Sequence, residues 1–138
     1  MTENGWPLLK DVRGKVMFAL DNGGAVRDLY LNGHEMLEGR MMFASVATDN
    51  PAAAFFKMND PVGGFKKIQA LVKRGFLVRT RADAGTKEAR SGDTSRRDRA
   101  LASGAQFVST DYPVANKEFS DYSVQIPNGA HRNPVSGR

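Results

Sequence analysis

The stretch Gly75 to Pro113, GFLVRTRADAGTKEARSGDTSRRDRALASGAQFVSTDYP, constrains the fold of this chain more than any other. A short apolar run, Phe76 to Val78, passes into charged residues, and a second, Phe107 and Val108, follows a segment rich in Ala, Leu and Arg. The order reads strand, polar loop, helix, strand. Strands joined by a crossover helix run parallel, so the stretch predicts one βαβ unit. Asp93 or Thr94 is placed to cap the amides of the first helical turn, and Gly104 to end the helix in the left-handed conformation. Ala100, Leu101 and Ala102 supply a narrow apolar stripe, whereas Arg96, Arg97, Asp98 and Arg99 read as a solvated face, with nucleic-acid contact as the alternative.

Side chains on a strand alternate between faces, so Arg79 and Arg81 share one side of the first strand, as Ser109 and Asp111 do on the second. In a closed parallel barrel that side is the lumen, and the carboxyl ends of the strands carry the active site. Planar guanidinium groups there suit a bidentate hold on phosphate. The structural alternative is an internal pair, Arg81 with Asp111 or with Asp83.

The rest of the chain continues the rhythm. Met1 to Gly14 reads as a polar entry with a short helical turn, Trp6 and Pro7 packing where the chain meets the body. Lys15 to Leu20 reads as a buried strand ending at Asp21, with Met17, Ala19 and Asp21 on the site face and Val16, Phe18 and Leu20 against helices. Ala25 to Gly39 is expected to carry a helix burying Leu29, Tyr30 and Leu31, and His34 falls in a loop with no assigned role. Met41 to Ala47 and Ala52 to Met58 are the next strands. Lys57, inside an apolar run, needs an acidic neighbour or a ligand anion, because an unpaired buried ammonium is expensive. Phe65 to Arg74 is an amphipathic helix with Phe65, Ile68, Leu71 and Val72 inward and Lys66, Lys67, Lys73 and Arg74 outward, ended by Gly75. Phe119, Tyr122, Val124 and Ile126 suggest a loosely packed extended segment, and 128–138 a flexible tail that includes His131.

The hydrophobic fraction of 41% and charged fraction of 25% are those of a globular chain, and no apolar run reaches membrane-spanning length. The net charge of +5 favours anionic partners. With no cysteine, disulfides and thiolate chemistry are excluded. The start lacks the apolar core of a signal peptide, and no P-loop, paired metal-spaced histidines or GxSxG elbow occurs.

The words GWPLLKDVRGKVMFALDN, PAAAFFKMNDP, LVRTRADAGTKEAR and DTSRRDRALASGAQFVSTDYP together resemble the C-terminal half of calcium-dependent, phosphoinositide-specific phospholipases C of bacteria and fungi, over roughly Gly5 to Pro134. The resemblance implies an α/β fold, the last five strands of a (β/α)8 barrel with their helices, over residues 1–127. A full barrel takes about 250 residues, and this chain has 138. It also implies hydrolysis of a phosphoinositide or other phosphodiester, a calcium ion whose ligands lie mainly on earlier strands, and a secreted or extracellular setting. The family's two acid/base histidines come from those early strands, and neither His34 nor His131 stands in a matching motif. No catalytic residue is therefore assigned. Lys57, Arg79 and Arg81 are the expected phosphate-binding residues, with Asp21, Asn59, Ser109 and Asp111 in support and Ser45 at another strand end.

Two other readings stand beside this one. The closing TDYP is shared with glycerophosphodiester phosphodiesterases of the same superfamily. A non-catalytic basic module would instead hold nucleic acid or an acidic membrane through Lys66, Lys67, Lys73, Arg74 and the Arg90 to Arg99 segment, although poor aromatic interleaving speaks against nucleic acid. Five parallel strands lacking the first three leave open edges and uncover Met17, Phe43 and Phe55, so either a missing half-barrel or self-association is expected to cover them.

Overall fold

The computed structural model describes residues 5–126 and 133–136. It is a mixed α/β structure whose described residues form two compact units, Met1–Phe56 and Lys57–Arg138.

In the first unit a 3-10 turn, Leu9–Asp11, precedes β1 (Phe18–Leu20), α1 (Gly24–Leu31) and β2 (Met42–Ala44). β1 and β2 are parallel, with Phe18 opposite Met42 and Leu20 opposite Ala44. Trp6 packs on Phe43 with ring centroids 5.4 Å apart, as expected for the entry segment. The Tyr30 hydroxyl and the main chain of Met42 exchange hydrogen bonds, fastening α1 to β2. The predicted burial is corrected here. Val16 is 75% exposed, Phe18 lies at half exposure, and Leu29 on α1 is 73% exposed rather than buried, with Tyr30 and Leu31 half-buried. The physical reason is that a two-stranded sheet is all edge and offers an eight-residue helix little to pack on. Its buried side chains are small: Ala44, Ala52, Ala53 and Ala54, with Phe56 the large exception.

The third strand, β3 (Phe55–Lys57), ends on the residue that opens the second unit, which continues with α2 (Phe65–Lys73), β4 (Leu77–Arg81), α3 (Lys87–Ser91), α4 (Ser95–Ala102) and β5 (Phe107–Ser109). The sheet order is β3-β4-β5, and β4 and β5 are parallel, as the βαβ reading requires. Arg79 stands opposite Phe107 and Arg81 opposite Ser109, so the two arginines and Ser109 share a face. Val78 and Thr80 take the other face, which α2 and α4 cover; Ile68, Leu71 and Val72 from α2 and Ala100 from α4 complete the core.

The helix ends follow the residues predicted to make them. Gly75 adopts φ +86°, its amide donates to Val72 O and that of Phe76 to Leu71 O, the paired closure of a Schellman motif. Asp93 accepts the Ser95 amide at 2.9 Å, and the hydrogen bonds from Ser95 hold its carboxyl below the usual value. Thr94, the residue before α4, donates instead to Asp98. The polar loop expected after β4 contains α3, a single helical stretch nucleated between Thr86 and Gly92. Within 128–138, read as a flexible tail, Asn133 donates to Gly104 O at 2.6 Å; the other positions except 134–136 lie outside the described residues, as does His131.

Candidate functional site: an arginine wall at the strand ends

Around β3, β4 and β5 several charged side chains of the second unit come together. Arg79, in the middle of β4, donates through Nη1 to the Asn59 side-chain oxygen at 2.5 Å. Arg96, on the first turn of α4, donates through Nη2 to the Asn59 carbonyl at 2.5 Å. Two guanidinium groups from different elements thus converge on one residue just past β3. Two carboxylates flank Arg96, Asp60 at 3.7 Å and Glu88 at 4.0 Å, both too far for a hydrogen bond.

Arg81, at the end of β4, faces Asp111 at 3.9 Å, and of the two partners weighed for it Asp111 is the one it meets. Asp83 is otherwise engaged. Buried to 1% exposure, it accepts hydrogen bonds from the Thr110 hydroxyl, the Asp111 amide and the Tyr122 hydroxyl. Ser109 closes the β4–β5 ladder, its hydroxyl donating to Thr80 O and its carbonyl accepting from Ala82.

Lys57 ends β3 as an exposed residue, which corrects the expectation of a buried ammonium. Alternation along a three-residue strand turns it to solvent while Phe56 turns inward. Lys57, Asn59, Arg81, Ser109 and Asp111 therefore stand at or just past the strand ends of one unit, with Arg79 in the middle of β4. Asp21 and Ser45 follow β1 and β2 in the other unit, where Asp21 is exposed and Ser45 O accepts from Arg27 at 3.4 Å. His34 is tied locally, its Nδ1 lying 2.7 Å from Glu38 O.

Arg96 is the residue that sequence reasoning missed. It belongs to a run read as solvated, yet its side chain is only 20% exposed. Arg97 also turns in, donating to Ser123 O at 3.1 Å, and Arg99 lies 3.7 Å over the Phe65 ring. A start at Ser95, two residues after the capping Asp93, would have pointed to the first-turn arginine as the one nearest the strand ends.

A small groove in the same unit, lined by Thr86, Arg90, Tyr112, Phe119 and Tyr122, contains none of the wall's cations. Among the described residues no group of His, Cys, Asp and Glu is arranged to hold a metal ion. The carboxylates explain why: Asp83 is filled by hydroxyl and amide donors, Asp111 faces Arg81, and Asp60 and Glu88 face Arg96. No helix among the described residues is long and apolar enough to cross a membrane.

Compared with known proteins, the chain matches the family described as phosphoinositide phospholipase C, Ca2+-dependent, over residues 1–134. No curated protein and no solved structure matches it.

Proposed function

Because the chain belongs to the family of Ca2+-dependent phosphoinositide phospholipases C, we propose that it forms the C-terminal wall of a phosphoric diester hydrolase, binding the phosphodiester of a phosphoinositide without supplying the acid/base pair. The observation that carries this reading is the convergence of Arg79 and Arg96 on Asn59, where β3 and β4 neighbour each other in one sheet that also carries Lys57 and Arg81. Cations held by the main chain and by one another's partners are preorganised, and they neutralise a phosphodiester without rearranging when charge develops on it.

In this reading the five strands are the later part of a (β/α)8 barrel, and an earlier half supplies the histidines. The substrate's own inositol hydroxyl attacks phosphorus, a base from that half takes its proton, and an acid there protonates the departing diacylglycerol oxygen. Arg79, Arg81, Arg96 and Lys57 hold the non-bridging oxygens, and Asn59 anchors Arg79 through its side chain and Arg96 through its carbonyl. Calcium in this family would add positive charge at the phosphorus. Among the described residues no group of His, Cys, Asp and Glu is arranged to hold it, so its ligands are assigned to residues outside this wall.

The test is calorimetric titration of the 138-residue chain with inositol 1-phosphate, alongside a phosphatidylinositol cleavage assay. Binding that weakens in Lys57→Ala and Arg79→Ala, with no turnover, is the expected result. No binding at low ionic strength would count against the wall.

A further inference from the structure

We propose that Asp83 is a positioning residue for this wall: it clamps the Thr110–Asp111 turn and thereby fixes the direction in which Arg81 points. The inference rests on the reading of Arg81 as a phosphate-binding residue. The Arg81–Asp111 pair turns Arg81 towards Asp111 but cannot by itself hold Asp111 in place: its 3.9 Å separation is too long for a hydrogen bond, and the side chains are 33% and 69% exposed. Something else must decide where Asp111 stands.

Asp83 does so from below. Its Oδ1 accepts the Asp111 amide at 3.1 Å and its Oδ2 the Thr110 hydroxyl at 2.5 Å. The same hydroxyl accepts the Tyr112 amide at 2.9 Å, so three consecutive residues after β5 hang on one carboxylate. Tyr122 closes the site, its hydroxyl within 3.2 Å of Ala82 O and 3.4 Å of Asp83 Oδ2.

A carboxylate at 1% exposure whose described partners are all neutral donors is a costly choice for structure alone. Its chemistry explains it: ionised, it is acceptor-only and can receive all three donors, whereas an amide would turn an NH2 group against one of them. The clamp sets the register in which Asp111, two residues beyond Ser109, emerges on the face of Arg81.

The experiment is titration of the full chain with inositol 1-phosphate, using Thr110→Val to remove the hydroxyl at nearly constant shape. We expect Thr110→Val to weaken binding roughly five-fold, and Thr110→Ser, which keeps the hydroxyl, to stay within about two-fold. Arg81→Ala should add no further loss in the Thr110→Val background, because Arg81 is already misdirected there. Gly75→Ala, which strains the left-handed turn before β4 and touches no residue of the clamp, should lower the urea midpoint and leave affinity within about two-fold. Wild-type affinity in folded Thr110→Val, or losses from Thr110→Val and Arg81→Ala that multiply, overturns the proposal. Should Thr110→Val not fold, Asp111→Ala replaces it: an Arg81→Ala loss undiminished in that background overturns the proposal equally. Lys57→Ala and Arg79→Ala report separately on the wall, so weakened binding in these with an unaffected Thr110→Val isolates failure of this inference alone.

Discussion

Arg79 and Asn59, twenty positions apart, are joined by a hydrogen bond of 2.5 Å from the guanidinium to the side-chain oxygen. Arg79 leaves the middle of β4 and Asn59 follows β3, and the Met58 amide donates to Arg79 O at 2.8 Å, so side chain and main chain tie the same two strands at the same level. An arginine fastened at one nitrogen keeps the rest of its planar fork for a ligand. A lysine has a single point of charge and no fork.

Arg79→Lys is therefore expected to weaken inositol 1-phosphate binding by about ten-fold although the net charge is unchanged. Calorimetry at fixed ionic strength checks it. Equal affinity for the two proteins would mean that Arg79 acts through charge alone.

Tyr122 carries an alkaline signature. Burial, and then the charges of Asp83 and Glu88, push its phenol up from 10.0 to about 12. An acid held protonated in the folded state binds its proton more tightly than in the unfolded chain. Its contribution to stability is therefore intact below pH 10 and lost as pH rises from about 10 towards 12. Absorbance titration near the phenolate band should show one late-titrating phenol that disappears in Tyr122→Phe, and the variant's urea midpoint should fall less steeply over that range.

Gly104 tests how the chain end is seated. It follows α4 with φ +79°, and a Cβ there would come within 2.4 Å of the Val135 side chain. Gly75, at φ +86°, has open space around the same position. Gly75→Ala should cost about 1–2 kcal/mol from the left-handed backbone alone, and Gly104→Ala about 1–3 kcal/mol more for displacing Val135. Equal costs in urea denaturation would mean that Val135 gives way freely.

The βαβ unit was legible in the sequence because its signals are local: Gly75 and Gly104 mark helix ends, and the Arg79, Arg81, Ser109 alternation fixes a face before any register is known. Lys57, Arg79, Arg81 and Asp111 emerged from the same rule. Arg96 did not, because an arginine run on a helix gives no clue as to which member is rotated towards the sheet until the helix start is fixed to the residue. Burial in the first unit misled for a different reason. Apolar runs such as Val16 to Leu20 report what a strand could bury, and only the partner elements decide whether it does.

Those exposed side chains carry their own expectation. Leu9, Val16, Leu29 and Met41 are all strongly exposed in the first unit, apolar side chains that a covering surface would bury. At micromolar concentration the chain should sediment above the 15.1 kDa of a monomer and bind an apolar dye, and Val16→Lys with Leu29→Lys should reduce both. A compact monomer without dye binding would contradict the half-barrel reading.

The most direct test of the central claim pairs binding with turnover on the same preparation of the 138-residue chain. Inositol 1-phosphate titration and phosphatidylinositol cleavage, with calcium present, are measured for the wild type, Lys57→Ala and Arg79→Ala. The account predicts saturable binding that drops in both variants and no cleavage in any of them. Cleavage by the wild type that is lost in either variant would place the chemistry within this chain and contradict it.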